Sequence, residues 1–151
     1  MRVTSDMSQH EWRRGEYEIS DDRARLDLRF VHEFLSGQSY WARGRDAETV
    51  RRSVEHSLPF GLYRGERQIG FARVVTDRAT FAWLADVFVL DEFRGEGLGK
   101  WLVETILAHP ELQGLRRWTL GTRDAHELYR RFGFAETPAG FFMEKLDTSA
   151  K

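Results

Sequence analysis

"FRGEGLGKWL" (residues 93–102) sets three glycines, Gly95, Gly97 and Gly99, at alternate positions between Arg94 and Lys100. Glycine loses more backbone freedom on ordering than any other residue, so three within five positions call for a reason. The flanks supply one. Before the stretch lies "TFAWLADVFVL" (residues 80–90), long and apolar enough for a central strand buried on both faces. After it, "LGKWLVETILAHP" (residues 98–110) places Leu98, Leu102, Thr105 and Ile106 on one helical face and ends at Pro110. A buried strand thus runs through a bare loop into the first turn of a helix. That turn carries N–H groups without intrahelical acceptors and the positive end of the helix dipole. Bare backbone there, with two cations beside it, is a site for a phosphate.

Working outward, "EYEIS" (residues 16–20) reads as a first strand. Residues 21–37 follow with helical spacing of Leu28, Val31 and Leu35 beside Leu26, Phe30 and Phe34, with Asp21 or Asp22 as cap and Gly37 as stop. "SYWARGR" (residues 39–45) breaks the period and is a loop. Residues 46–57 form a second helix with Asp46 as N-cap and Val50 and Val54 inward. "LPFGLYR" (58–64) and "RQIGFARVVTD" (67–77) are strands around a hairpin break at Gly65 and Glu66. Beyond the third helix, "LRRWTLGT" (115–122) is a strand. Residues 124–133 are a short helix with Asp124 as N-cap and Gly133 as stop, and "GFFMEKL" (140–146) is a last strand. The order β-α-α-β-β-β-α-β-α-β implies an α/β fold of the α+β type, a mixed, mostly antiparallel sheet flanked by helices, not a doubly wound parallel sheet. One domain over residues 16–147 is expected, with a flexible tail at 1–15 and a short one at 148–151.

The totals restrict the function. A chain of 151 residues with 41% hydrophobic and 31% charged residues fits one soluble domain. Lys and Arg number 23 against 24 Asp and Glu, which lacks the basic excess of a nucleic-acid binder. The absence of cysteine excludes disulfides, thiolate metal sites and a cysteine nucleophile. No signal-peptide pattern or membrane-length apolar run is present, so a cytoplasmic protein without membrane or metal is expected.

Three phosphate-binding patterns compete for the glycine stretch. A P-loop needs four residues between its first glycine and the Gly-Lys-Ser/Thr; here three residues separate Gly95 from Gly99, and Trp101 stands where the hydroxyl belongs. The dinucleotide fingerprint needs G-x-G-x-x-G near the first strand of a parallel sheet, and neither spacing nor position agrees. The third pattern fits. Arg94-Gly95-Glu96-Gly97-Leu98-Gly99 resembles the R/Q-x-x-G-x-G/A motif of the GCN5-related N-acetyltransferases, and the element order resembles theirs over residues 16–146.

The resemblance implies an acyl-CoA N-acyltransferase fold and an acetyl-CoA-dependent enzyme that acetylates an amine by direct attack, without a metal. It implies that the loop from Arg94 through Gly95, Glu96, Gly97, Leu98 and Gly99 to Lys100 holds the pyrophosphate. It further implies that the strand near Val87, Phe88 and Val89 holds the pantetheine arm. "DAHELYRRFGF" (124–134) is similar to the family's A-x-x-x-Y helix followed by GF, which implies Ala125 at the cofactor and Tyr129 as the acid that protonates the leaving thiolate. A phenol, with a reference pKa of about 10, stays protonated at neutral pH and can do this work. The family's asparagine seven residues before the tyrosine is replaced by Thr122, whose hydroxyl could serve the same cofactor contact. Homodimers are common in the family. A non-catalytic acyl-CoA-binding module is the alternative reading.

An attacking amine must lose a proton, so a base or a water chain is needed. Asp86 is the one acid within the apolar strand, and burial would push its pKa toward a base's range. The family's usual glutamate falls nearer Phe81 and Trp83, and alternation puts Asp86 on the face opposite both unless a bulge intervenes. Asp86 is therefore either the base or a structural acid paired with an arginine. His32 on the first helix is a second titratable candidate. For the acceptor, Tyr40 and Trp41 beside Arg43 and Arg45 suit a planar or carboxylate-bearing small molecule. An amino acid, polyamine, aminoglycoside or other small amine is the expected class.

Overall fold

The computed structural model describes residues 9–151. Six strands form one sheet in chain order: β1 (Glu11–Arg14), β2 (Tyr17–Ser20), β3 (Leu58–Arg64), β4 (Arg67–Thr76), β5 (Phe81–Val89) and β6 (Arg117–Thr119). All neighbours are antiparallel except β5 and β6, which run parallel. A parallel pair needs a crossover, and α3 (Leu98–Leu107) provides it. The expected mixed, mostly antiparallel sheet flanked by helices is what the chain forms.

Each face of the sheet has its own core. Leu98, Trp101, Leu102, Val103 and Ile106 of α3 pack on Phe60, Leu62, Ala72, Val74, Leu84 and Val89. On the other face, α1 (Leu28–Gly37) and α2 (Ala47–Glu55) pack Val31, Phe34, Leu35, Val50 and Val54 against Phe71 and Phe88. Phe34 stacks on Phe88 with ring centroids 3.8 Å apart. That contact fixes the far end of β5 against α1.

Local chemistry set several boundaries. Asp46 caps α2 as expected, accepting from the Thr49 N–H at 2.7 Å. α1 begins later than its apolar spacing suggested, because Asp27 accepts from the Phe30 N–H; residues Arg23–Arg25 make a separate single turn capped by Asp22. The proposed tail at 1–15 is corrected for its last part: Glu11–Arg14 pairs with Tyr17–Ser20 as an edge strand across the turn at Gly15. Its composition is polar because an edge strand faces water, which hid it. The first part of that tail lies outside the described residues. α4 (His126–Arg130) is shorter than predicted, and Asp124 does not cap it. The Thr122 hydroxyl instead accepts from the Ala125 N–H at 3.0 Å. The last predicted strand, 140–146, does not form. β6 offers an edge of only three residues, and Phe141 and Phe142 pack on the Arg117 guanidinium instead of making a ladder.

Candidate active site

The glycine loop is built by what holds its two ends. Phe93 is buried, and the Arg94 N–H bonds back to Asp91 O. At the other end the Trp101 N–H makes the first bond of α3 to Gly97 O. Between them, none of the six N–H groups of residues 95–100 has a partner among the described residues. Gly95 (φ 89°) and Gly97 (φ 74°) hold left-handed backbone that only glycine adopts without strain. At Gly99 the backbone is unstrained, and a Cβ would meet nothing within 4 Å. There bareness serves access. Lys100 is exposed with no ion-pair partner among the described residues, and Arg94 pairs only with exposed Asp91. Glu96 is turned away and held by the Tyr17 hydroxyl at 2.7 Å. Six outward donors at a helix N-terminus with two cations fit a pyrophosphate.

A wedge opens beside this loop. β5 and β6 pair only through Phe81–Arg117, Ala82–Trp118 and Trp83–Thr119, yet β5 continues to Val89. Among the described residues its edge from Leu84 onward has no strand partner on that side. Phe88 and Val89 bury their side chains, so only their main chain can serve a ligand, while half-buried Val87 lines the cleft. Two adjoining cavities, of about 530 and 690 Å³, share Trp83, Thr122 and Tyr129.

Tyr129 sits where the two cavities meet. It is 8% exposed, and its hydroxyl has no hydrogen-bond partner among the described residues. Burial, helped by nearby Tyr40 and Asp124, pushes its pKa up to about 12. The phenol is held in its protonated form. Thr122 and Ala125 line the same cavity, but the Thr122 hydroxyl is already engaged with the Ala125 N–H and starts the turn into α4.

Asp86 is the extra residue of a bulge. Arg73 pairs with Ala85 and Phe71 with Phe88, so Asp86 and Val87 together face a single residue of β4. Asp86 takes φ 55°, and the bulge keeps it on the face of Trp83, which uninterrupted alternation would have denied it. Its side chain is 3% exposed. Oδ1 accepts from Trp41 Nε1 at 2.8 Å; Oδ2 accepts from Arg73 Nε at 2.6 Å and from Arg45 Nη1 at 3.2 Å. Both oxygens are committed to donors, two of them guanidinium groups. This is the geometry of the paired acid, not of a free base.

The acceptor-side expectations divide. Tyr40 and Trp41 line the cleft, with the Tyr40 hydroxyl accepting from the Arg123 N–H at 2.8 Å. His32 and Arg43 do not line it. His32 Nε2 lies 3.0 Å from the Arg45 main-chain oxygen and so steadies the loop; Arg43 is exposed. Arg45, read with Tyr40 and Trp41 as acceptor-side, lines the cleft; Arg73, Arg123 and Trp83 line it without having been singled out as site residues. Arg73 had a signal: an arginine inside the apolar run "IGFARVV", one hairpin away from an aspartate inside another, is costly unless the two meet.

A second cluster lies apart from the cleft. His10 Nδ1, Asp21 Oδ2 and His109 Nε2 are mutually within 4.8 Å, near enough to hold a metal ion. The second ring nitrogen decides against it. His109 Nδ1 accepts from the Glu111 N–H at 3.1 Å, so the ring's proton is on Nε2, 2.8 Å from Asp21. A metal on Nε2 would drive that proton onto Nδ1, against another N–H. The residues fit a hydrogen-bonded tie between β1 and the end of α3.

Among the described residues, no helix is long and apolar enough to cross a membrane. The family model described as acetyltransferase (GNAT) domain matches residues 55–136, which contain β3 to α4, the glycine loop and Tyr129. A Gibberella zeae protein assigned to the acetyltransferases is 32% identical over 140 residues, covering 78% of each chain. A crystal structure of a Xanthomonas campestris pv. campestris protein assigned to the GNAT acetyltransferases is 47% identical, covers 87% of this chain and 93% of that one, and superposes with a TM-score of 0.82. A GNAT acetyltransferase of Elizabethkingia anophelis, solved with acetyl-CoA bound, shares the fold at 15% identity, with 83% and 80% coverage and a TM-score of 0.63. With its bare loop at the head of α3, the wedge between β5 and β6 and the buried tyrosine beside it, this chain belongs to the GNAT family of N-acetyltransferases.

Proposed function

We propose that this enzyme transfers an acetyl group from acetyl-CoA to a primary amine by direct attack within a ternary complex. The observation that carries the reading is the run of six N–H groups over residues 95–100 without partners among the described residues, which matches a pyrophosphate and adjoins the open edge of β5. Acetyl-CoA supplies the acyl group and a thiolate as leaving group.

The chain's own groups do the rest. The main-chain donors of the loop hold the pyrophosphate, with Arg94 and Lys100 adding charge. The free edge of β5 near Val87 to Val89 takes the pantetheine arm and offers N–H groups to the thioester carbonyl, where negative charge grows as the amine attacks. The new C–N bond forms as the C–S bond breaks. Tyr129 gives its proton to the departing sulfur, and the proton shed by the amine nitrogen restores the phenol. Asp86 does not take the amine's proton in this reading; its two oxygens anchor Arg45, Arg73 and Trp41. The earlier proton, which an ammonium group must lose before its nitrogen can attack, leaves through water in the cleft.

Thermal shifts with acetyl-CoA, CoA and ATP, followed by free-thiol release across a set of amines, test this. Stabilisation by both CoA species but not by ATP, with thiol release in the presence of an amine, is the expected result. No stabilisation by either CoA species would overturn it.

A further inference from the structure

We infer that the amine acceptor also carries a carboxylate, held by Arg45 and Arg73. The inference rests on the acyl-transfer reading of the cleft and narrows its acceptor class.

In the cleft two guanidinium groups, Arg45 and Arg73, face one carboxylate, Asp86. Arg45 and Arg73 each have 15% of their side chain exposed, and Asp86 has 3%. The other charged residues that line this cavity, Arg123 and Asp124, are exposed at its rim and offset each other. The second guanidinium charge is met only at the outer edge of Arg45, where the exposed main-chain oxygen of Lys151, the last residue, lies 3.4 Å from Nε. A contact that long and exposed is screened by solvent, so a monoanion inside the cleft would answer the charge better.

The hydrogen-bond count agrees. Arg73 uses Nε on Asp86 and Nη1 on the Ser57 hydroxyl at 3.0 Å. Arg45 uses Nη1 on Asp86, and its Nε faces the Lys151 main-chain oxygen at 3.4 Å. Each keeps an Nη2 without a partner among the described residues, and neither Nη2 is a buried orphan. The outer edge of Arg45 thus already receives an oxygen from solvent's side. The two Nη2 groups, one on each arginine, are the charged donors left for a carboxylate. Asp86 does not cancel this; it fixes the orientation of both forks. The walls are aromatic, with Trp41 39% and Trp83 41% exposed, so the body joining amine to carboxylate is apolar. A polyamine or aminoglycoside brings only positive charge to this end of the cleft and is disfavoured.

The experiment is calorimetric titration of the CoA-loaded enzyme with 3-phenylpropanoate and, in parallel, with 3-phenylpropanamide. The two probes differ in charge and share their apolar body. The carboxylate is expected to bind at least about tenfold more tightly. Arg45→Met should erase most of that preference while Arg45→Lys keeps part of it. Equal affinity, tighter binding of the amide, or no binding of either would overturn the inference. The wild-type comparison stands even where Arg45→Met does not fold. The thermal shift produced by CoA on the same sample separates the two readings. A CoA shift without carboxylate preference removes this inference alone; no CoA shift removes the acyl-transfer reading beneath it.

Discussion

Arg73 Nε donates to Asp86 Oδ2 over 2.6 Å, from β4 to β5, and the bond exists because β5 is bulged at Asp86. Arg73 stands opposite Ala85 in the ladder. On a regular strand the next residue would point to the other face. The left-handed backbone at Asp86 costs on the order of 1 kcal/mol, and aspartate is among the residues that tolerate it.

Asp86→Asn keeps the shape and tolerates the same backbone, so it isolates the charge. Two guanidinium groups would face a neutral amide in a nearly dry site. We expect a stability loss of about 3–5 kcal/mol, the range seen when one partner of a buried ion pair is removed. Urea unfolding of wild type and variant measures it. A loss under about 1 kcal/mol would show that Asp86 does not organise the arginines.

Gly99→Glu separates folding from binding. The position is unstrained, a side chain there meets open space, and an acid in the first turn favours a helix. Stability should be unchanged or slightly higher. The new carboxylate would occupy the place of the pyrophosphate, so acetyl-CoA affinity should fall by at least about a hundredfold, near 2.7 kcal/mol. Unchanged affinity in a folded Gly99→Glu protein would place the pyrophosphate elsewhere.

Tyr129→Phe removes a hydroxyl that bonds nothing among the described residues. Folding stability should change by less than about 1 kcal/mol, because no hydrogen bond is lost. Turnover should fall about 10²-fold or more, the usual contribution of a general acid, with little change in acetyl-CoA affinity. The wild-type phenol, with its pKa pushed up to about 12, stays protonated through pH 10. Any alkaline loss of rate below that pH should therefore survive in the variant. A variant as fast as wild type would end the acid assignment.

The tie at Asp21 predicts acid sensitivity. Burial alone would raise the Asp21 pKa, but hydrogen bonds from the His10 main-chain N–H and from the rings of His109 and His10 outweigh it and hold the carboxyl below its ordinary value. A depressed folded pKa stabilises above the unfolded value of about 3.9 and loses that contribution as pH falls through the folded one. Comparing wild type with Asp21→Asn by denaturant unfolding, the gap at pH 7 should persist to pH 5 and close below pH 4. A gap that stayed constant down to pH 3 would contradict the tie.

The sequence by itself determined the elements whose chemistry is local. Glycine spacing after an apolar strand marked the loop at 93–99, Asp46 marked the start of α2, and helical spacing marked the faces of α1 and α3, because capping, turn geometry and amphipathicity act over a few residues. It also carried the Ala125–Tyr129 pattern that put the phenol at the cleft. What the tertiary structure alone decided depends on partners distant in the chain. β1 is a strand because Tyr17–Ser20 offers it an edge, not because its residues prefer one. Residues 140–146 have strand alternation but face a three-residue β6, and so pack on Arg117 instead. Asp86 meets Arg73 through a bulge that period-two counting cannot register, and Arg45 arrives 41 residues away along the chain. Whether a buried acid is a base or an anchor is settled by which charges reach it, and those contacts are set by the packing of the whole sheet.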